Sequence, residues 1–320
     1  MPLKMLQVTV PVAAEAHVKK IAASNSVVSC ERLAELDGDH VQYVLLTRAG
    51  ERQKVIDDIQ KLLATSSRAR INIMPVEATL PDVEAREAGD TREELMIKMR
   101  QGAHLDSGYL VLTLLSTIVA LIGMVQDNVA VVIGAMVIAP LLGPNLAFAF
   151  GTSLGDKKLM SDAFTTAFTG MSVAIAMAAI VGMIWGELPE SQELLGRTEV
   201  GLGGMALAAA SGIAGVLSLT SGLSMTLVGV MVAVALLPPA ATLGFMLGIK
   251  QWQLANGALL LLIVNVVCVN LAGLMVFFAK GIRPRLWFER RMATPYILSG
   301  MAVWSLLLLL LIFVIGATPS

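Results

Sequence analysis

Charged residues are scarce in this chain. Asp, Glu, Lys and Arg supply 15% of the 320 residues and hydrophobic residues supply 56%, whereas soluble globular proteins have roughly 25% charged and roughly 45–50% apolar residues. The charges are also unevenly distributed, because residues 1–104 have an ordinary soluble composition and long stretches after Gly108 carry no charge. This shortage predicts a soluble N-terminal domain followed by a membrane domain.

Cysteine and histidine are also few, and neither forms a recognisable site. Cys30 and Cys268 lie in different regions without a CxxC spacing, so we expect two free thiols and no metal or redox cofactor. His17, His40 and His104 lie outside the apolar runs, which removes the commonest catalytic base from the bilayer. No Ser-His-Asp, HExxH or nucleotide-loop pattern is present, so a membrane enzyme is the least favoured class. The net charge of −1 gives no reason to expect nucleic acid as a partner.

Strand and helix patterns alternate along residues 1–80. Period-two runs predict strands at residues 3–10, 27–36, 41–47 and 70–76, and helical spacing predicts helices at residues 13–24 and 51–63. The order β-α-β-β-α-β is that of the ferredoxin-like α+β fold, a four-stranded antiparallel sheet with both helices on one face. It resembles the ACT and P-II-like regulatory domains. Because this fold serves several purposes, oligomerisation or docking and small-ligand sensing are both left open.

Residues 81–104 carry many charges and lie between the two predicted domains. Leu95, Met96 and Met99 fall on one side of a helix in this segment. We interpret the segment as a charged helical connector that leads into a transmembrane domain at residues 105–320.

Seven apolar runs are long enough to cross a bilayer as helices. They occupy residues 109–125, 129–154, 163–185, 203–219, 223–247, 254–279 and 296–315. The spans lack a carboxylate near the middle of the membrane, and Asp106, Asp127, Asp156 and Asp162 all lie near span ends or in loops. A proton relay through carboxylates buried in the membrane is therefore not expected.

The distribution of Lys and Arg predicts the orientation of the spans. If the soluble domain is cytoplasmic, Lys157, Lys158 and the basic cluster at residues 280–291 all lie inside, and the outer loops hold only Arg197 and Lys250. The opposite orientation would place most of the positive charge outside. We therefore expect a cytoplasmic N-terminus and an external C-terminus.

The strongest internal signal is a repeat. Residues 134–144, GAMVIAPLLGP, and residues 229–239, GVMVAVALLPP, align without gaps at an offset of 95 residues. The same offset carries the first predicted span onto the fourth and the third onto the sixth. We therefore predict two repeats of three spans, at residues 109–185 and 203–280, with an extra span at residues 296–315.

A unit of three spans must enter the membrane from opposite sides in its two copies. This predicts an α-helical polytopic membrane protein with an inverted 3+3 transmembrane repeat, an arrangement common in secondary transporters. Prolines interrupt the middle span of each copy, with Pro140, Gly143 and Pro144 in the first and Pro238 and Pro239 in the second. Since proline lacks a backbone N–H and clashes with the preceding turn, both spans are expected to break or kink.

Unpaired backbone at membrane depth is tolerated only where protein or a water-filled cavity satisfies it. The two breaks therefore predict a solute site between them, and the polar side chains that could join it are Asn145, Thr242, Asn265 and Asn270. Helix N-termini favour anions and free carbonyls favour cations, so an anion, a cation and a neutral solute all remain open. The alternative is structural, with prolines that only kink the helices and Asn side chains that join neighbouring helices by hydrogen bonds.

Small residues form a stripe along the fourth predicted span. The stripe contains Gly204, Ala208 and Gly212, with Ser211 and Gly215 nearby. Small side chains let membrane helices approach closely, so we interpret this stripe as a packing surface and not as a ligand site.

Two segments carry a resemblance to a known family. Residues 134–156, GAMVIAPLLGPNLAFAFGTSLGD, and residues 236–244, LLPPAATLG, together with the soluble N-terminal region, resemble the bacterial DUF389 family of hydrophobic-domain membrane proteins. The resemblance covers most of the chain. It implies a prokaryotic inner-membrane protein in a family without an established substrate, and it carries over no catalytic residue.

These patterns favour an integral membrane transporter or channel for a small solute or ion, with a cytoplasmic regulatory or oligomerisation domain. The lipid bilayer and further copies of the same chain are the expected partners. The main alternative is a membrane-anchored sensor or scaffold whose spans hold and assemble the soluble domain without transport.

Overall fold

The computed structural model describes residues 4–24, 27–36, 39–47, 52–63, 68–76, 91–221, 225–282 and 287–317. The chain divides into two compact units, Met1–Glu94 and Leu95–Ser320. The predicted boundaries at residues 80 and 104 stay predictions, and most of the first half of the predicted connector lies outside the described residues.

The N-terminal unit contains a four-stranded antiparallel sheet and two helices. Its elements are β1 (Lys4–Pro11), α1 (Glu15–Ala22), β2 (Val27–Leu36), β3 (His40–Thr47), α2 (Arg52–Leu63) and β4 (Arg70–Pro75). The strand order across the sheet is β2-β3-β1-β4. β1 is therefore a central strand, paired with β3 on one side and β4 on the other.

Alternation along the central strands builds the core of this unit. Leu6 lies opposite Leu45 and Val8 opposite Tyr43 in the β1–β3 ladder, and all four side chains are buried. Period two places every second residue on one face of a sheet, so the alternating pattern buries one face. Apolar residues of α1 and α2 complete the cluster, which includes Val18, Val55, Ile56 and Ile59.

A capping box opens the next helix, α3 (Arg92–Gly102). The Thr91 backbone N–H and hydroxyl both donate to the Glu94 carboxylate at 2.8 Å, and the Glu94 N–H donates back to the Thr91 hydroxyl at 3.4 Å. This reciprocal pair satisfies N–H groups that have no partner within the helix. The Glu94 carboxylate also accepts from the buried guanidinium of Arg52 at 3.3 Å.

The C-terminal unit is helical. After α3 its elements are α4 (Ser107–Val125), α5 (Val129–Ile138), α6 (Leu142–Leu154), α7 (Lys157–Trp185), α8 (Gln192–Leu195), α9 (Leu202–Thr220), α10 (Met225–Gly248), α11 (Trp252–Ala279) and α12 (Trp287–Ala317). Four helices in the described part of the chain, α4, α7, α9 and α11, are long and apolar enough to cross a membrane, and α5 with α6 can form a fifth span bent by 55°. The apolar helices indicate a membrane protein, and the count of seven spans stays a prediction.

Glycines bring α7 and α10 into direct backbone contact. A Cβ added at Gly244 would lie 2.2 Å from the carbonyl oxygen of Ile175, and one added at Gly248 would lie 2.3 Å from that of Ala179. At Gly182 it would lie 2.4 Å from the carbonyl oxygen of Phe245. Only residues without a side chain permit this approach, which is how small residues hold helices together in lipid. α7 and α10 thereby join the two predicted repeats.

Candidate functional site

The first proline segment separates two helices. α5 ends at Ile138, and Ala139 takes an extended conformation with φ −65° and ψ 123°. The residue before a proline is driven out of the helical region by the proline ring, so Pro140 explains why α5 stops there. Pro144 lies in the first turn of α6, where no N–H partner is lost. This part of the prediction agrees with the structure, which has a 55° bend at the break.

The break is packed against the end of α3. A Cβ added at Gly102 would lie 3.0 Å from the Cα of Gly143, and one added at Gly143 would lie 2.9 Å from the Cα and the carbonyl oxygen of Gly102. The two backbones therefore touch, and both positions require glycine. Gly143 is a packing residue in this structure.

Asn145 and Asn270 meet close to the first break. The Asn145 amide donates to the Leu141 carbonyl on its own helix at 2.9 Å. The Asn270 amide on α11 donates to the Val266 carbonyl at 2.9 Å and lies 3.5 Å from the Asn145 carbonyl oxygen. Both side chains are buried. The structure therefore brings together two of the four predicted polar residues.

The second proline segment does not separate two helices. α10 runs as one helix from Met225 to Gly248 with Pro238 and Pro239 in its interior. The predicted break is therefore absent from the second span, and a kink at these prolines stays a prediction. The alignment supplies a reason, because Ala235 occupies the position of Pro140 and imposes no constraint on the residue before it.

Asn265 replaces a hydrogen bond that α10 loses at Pro239. In a regular helix the N–H of residue 239 would donate to the carbonyl of Ala235, and proline has no N–H. The Asn265 amide on α11 donates to that carbonyl at 2.8 Å. Because a carbonyl oxygen can only accept, the atom of the Asn265 amide that contacts it must be the nitrogen, and Oδ1 is the atom on the other side of the amide group. Oδ1 is buried and has no hydrogen-bond partner among the residues that the structure describes.

Thr242 lies apart from these amides. Its buried hydroxyl is 3.6 Å from the sulfur of Met124 on α4. The predicted polar residues thus divide into Asn145 with Asn270, Asn265 beside Pro239, and Thr242 beside α4.

A cavity of about 300 Å³ extends from the surface to Asn265, and we call it the α9 cavity. The loop before α9 contributes the exposed residues Glu199 and Gly201 to its wall, and Gly204 of α9, Pro239 of α10 and Asn265 of α11 line it farther in. Asn265 lies halfway along α11. A polar cavity therefore reaches the middle of a candidate membrane span.

The small-residue stripe on α9 predicts helix packing alone, and the structure shows that part of it lines the α9 cavity. The stripe of small residues on α9 divides, because a Cβ at Gly212 would lie 2.9 Å from the carbonyl oxygen of Val269, whereas one at Gly204 would meet only the Leu261 Cδ1 at 3.8 Å. Gly212 packs against α11 as expected, and Gly204 faces the cavity. The two glycines have the same sequence signal, so only the position of α11 distinguishes them.

The loop that carries the mouth of the α9 cavity is attached to the α4–α5 turn. The carboxylate of Asp127 accepts from the Glu193 N–H at 2.9 Å and from the Ser191 hydroxyl at 2.8 Å. These hydrogen bonds, the Glu193 bond above all, lower the pKa of Asp127 below its usual value. Asp127 has a positive φ of 51°, so the turn holds a conformation that non-glycine residues seldom adopt.

A second cavity, of about 470 Å³, lies beside the first residues of α7, and we call it the α7 cavity. Its wall includes His104, Leu105 and Thr166, and its charged residues are Arg100, Asp156, Lys158 and Asp162. The Thr166 hydroxyl donates to the Ala103 carbonyl, which fixes the segment before α4 against α7. The α7 cavity thus lies between the approach to the first predicted span and the third.

Comparison with known proteins places this chain among relatives of unassigned function. A family model described as a domain of unknown function, DUF389, matches residues 136–271. The chain is also 31% identical over 265 residues to an uncharacterized protein of Methanocaldococcus jannaschii, an alignment that covers 81% of this chain and 82% of that protein. The chain belongs to the DUF389 family. No solved structure matches it.

The DUF389 match includes both proline segments and every residue of the predicted site. It begins at residue 136 within α5 and ends at residue 271 within α11, so Asn145, Asn265 and Asn270 all lie inside it. The α9 cavity is therefore formed mainly by the part of the chain that defines the DUF389 family.

Proposed function

We propose that this DUF389 protein is a membrane transporter or channel for a small solute or ion. The observation that carries this proposal is the α9 cavity, which extends from the exposed Glu199 to Asn265 at the midpoint of α11. A helix that only anchors a domain has no need for a polar cavity at this depth, whereas a solute pathway requires one. In this proposal the solute site lies beside Pro239 and Asn265.

An inverted 3+3 repeat with a seventh span is the architecture that we propose for the membrane unit. The two cavities support it, because three pairs of their lining residues stand at the offset of the sequence repeat, 95 residues. The pairs are His104 with Glu199, Leu105 with Val200, and Thr166 with Leu261. Inversion would place the α7 cavity on the cytoplasmic side and the α9 cavity on the external side, as the basic loops also predict.

The N-terminal unit is proposed to be a ferredoxin-like domain in the cytoplasm. Its element order β-α-β-β-α-β and its strand order β2-β3-β1-β4 support that assignment. In this proposal the domain regulates the membrane unit or assembles copies of the chain at the prokaryotic inner membrane.

The scaffold alternative has one observation in its favour. The Asn265 amide satisfies the Ala235 carbonyl, and the Asn145 amide satisfies a carbonyl of its own helix. Both contacts are what purely structural asparagines would make. The scaffold alternative predicts no solute flux.

Labelling from the two sides of the membrane tests the inverted repeat. In a chain with Cys30→Ser and Cys268→Ala, His104→Cys and Glu199→Cys place single thiols on the two cavities at equivalent repeat positions. A membrane-impermeant maleimide is expected to react with the first from the cytoplasmic side and with the second from outside. Reaction of both from the same side would contradict the inversion.

Flux into proteoliposomes tests transport itself. Vesicles with the wild-type protein, and parallel vesicles with the Glu199→Cys protein, are mixed with hyperosmotic glycerol, urea, potassium chloride or an amino acid, and the recovery of volume is followed by light scattering. At least one solute is expected to enter faster than into protein-free vesicles, and maleimide on Cys-substituted position 199 is expected to slow it. Rates equal to those of protein-free vesicles for every solute would support the scaffold alternative.

A further inference from the structure

The first turn of α9 lies on the wall of the α9 cavity and has no side-chain cap. The N-cap residue Gly201 has no side chain to accept a hydrogen bond, whereas Asp106, Asn128 and Asp156 cap α4, α5 and α7 in this way. The first N–H groups of a helix have no acceptor within it, and they lie at the positive end of the helix dipole. This end of the cavity therefore favours an anionic group.

Glycines leave that first turn open to a ligand. A Cβ added at Gly201 would meet nothing within 4 Å, and one added at Gly204 would meet only Leu261, at ordinary contact distance. Gly201 and Gly204 line the cavity. The empty space beside their backbone is thus available to a bound molecule.

The inner end of the α9 cavity has the opposite preference. Asn265 is 5% exposed, and its amide is already committed to the Ala235 carbonyl. Its buried Oδ1 has no partner in the described part of the chain. Buried polar atoms in folded proteins are almost always hydrogen-bonded to protein or to ordered water, so this acceptor is open to a donor from a molecule in the cavity.

The charges at the mouth of the α9 cavity restrict the net charge of a ligand. The Arg197 guanidinium lies 3.1 Å from the Glu193 carboxylate, so its charge is largely neutralised. Glu199 lines the same wall, and no residue that the structure describes forms an ion pair with it. One negative charge therefore remains in excess at the mouth, and it disfavours a ligand that carries a net negative charge.

We propose that the α9 cavity binds a small zwitterion, an α-amino acid with an apolar side chain. This inference rests on the proposed function and names its substrate class. The ligand carboxylate bonds to the N–H groups of the first turn of α9, and its ammonium group donates to the Asn265 Oδ1. Leu207, Ala208 and Leu261 provide apolar wall for the side chain.

The two ends of the cavity explain why neither a simple anion nor a simple cation fits as well. An anion would satisfy the first turn of α9 and leave the Asn265 Oδ1 without a donor. A cation would satisfy Oδ1 and approach the positive end of a helix dipole. A zwitterion satisfies both ends, so each of its two charges is buried with a hydrogen-bond partner.

Calorimetric titration of the purified full-length protein tests this proposal. The probes are glycine, L-alanine and L-leucine, together with 4-methylpentanoate, which is leucine without its amine, and 3-methylbutylamine, which is leucine without its carboxyl group. At least one amino acid is expected to bind at least tenfold more tightly than both leucine fragments. Equal affinity for either fragment, or binding of no amino acid, would overturn the ligand class.

Two neighbouring glycines locate the site. Gly204→Ala adds a methyl group to the wall without a clash and is expected to weaken amino-acid binding at least tenfold. Gly203→Ala is the matched control, because it makes the same change one residue away, outside the residues that line this cavity, and it should leave the affinity unchanged. An affinity unchanged by Gly204→Ala would overturn the site.

The outcomes separate this inference from the proposed function. Flux of another solute without amino-acid binding would overturn the ligand class and leave transport supported. Amino-acid binding that Gly204→Ala weakens, without flux of that amino acid, would support the ligand class and contradict transport.

Discussion

Two aligned proline segments have different structures in this protein. The first divides a span into α5 and α6 at a 55° bend, and the second lies inside the continuous helix α10. The difference follows from one aligned position, Pro140 in the first segment and Ala235 in the second. Pro140 drives Ala139 into an extended conformation, whereas the second segment has no proline at that point.

The two segments also satisfy their backbone groups in different ways. At the first, Asn145 donates to a carbonyl of its own helix, and Gly102 packs directly on Gly143. At the second, Asn265 reaches from α11 to the carbonyl that Pro239 leaves without a partner. Proline count alone therefore does not predict a broken helix, because a neighbouring side chain can replace a missing N–H.

Moving a proline into α10 should have the largest effect. Ala235→Pro reproduces the first segment in the second, and a proline in a helix interior costs on the order of 3 kcal/mol. Thermal unfolding in detergent micelles, followed by tryptophan fluorescence, should show a large fall in the midpoint. Val129→Pro is the control, because it occupies the first position of α5, where proline is tolerated. Equal losses in both variants would contradict the role assigned to Pro140.

The contact between Gly102 and Gly143 provides the next test. Gly143→Ala places a methyl group 2.9 Å from the backbone of Gly102, and overpacking of this kind costs about 1–3 kcal/mol. Gly134→Ala in α5 is the control, since its Cβ would meet nothing within 4 Å, and Ala stabilises a helix interior by up to about 1 kcal/mol relative to Gly. The two variants should shift the unfolding midpoint in opposite directions. A Gly143→Ala protein as stable as the wild type would show that the close contact is not required.

A double-mutant cycle tests whether Asn265 compensates for Pro239. Asn265→Ala should cost about 1–3 kcal/mol, because the Ala235 carbonyl then lacks a donor in a buried site. In a Pro239→Ala background the restored N–H supplies that donor, so the same substitution should cost about 1 kcal/mol less. Titration of mixed micelles with sodium dodecyl sulfate gives the four free energies of unfolding. Strict additivity would mean that the amide does not replace the missing bond.

The sequence predicts some of these features and not others, for physical reasons. Period-two alternation in residues 3–10 and 41–47 predicts strands that agree with β1 and β3, because a sheet with one buried face imposes that period. The break at Pro140 is also predictable, since proline acts on the residue beside it. The bond from Asn265 to Ala235 and the cavity beside Gly204 depend on which helices meet, and no local pattern records that.

The smallest expected loss of stability is that of Asn145→Ala, and its size relative to that of Asn265→Ala compares the two proline segments directly. The Leu141 carbonyl accepts from the Asn145 side chain, and as the N-cap carbonyl of α6 it is also positioned to accept the first backbone N–H bond of that helix. Loss of the Asn145 side chain therefore does not leave this carbonyl without a donor. The Asn270 amide keeps its 2.9 Å bond to Val266. Asn145→Ala should therefore cost at most about 1 kcal/mol, less than Asn265→Ala, in the same detergent titration. Removing the contact between the Asn145 and Asn270 amides, by Asn270→Ala in the Asn145→Ala protein, should lower the free energy of unfolding little further, because that contact is long at 3.5 Å. A cost at Asn145 equal to that at Asn265 would mean that the first break, like α10, depends on an amide to complete its backbone hydrogen bonds.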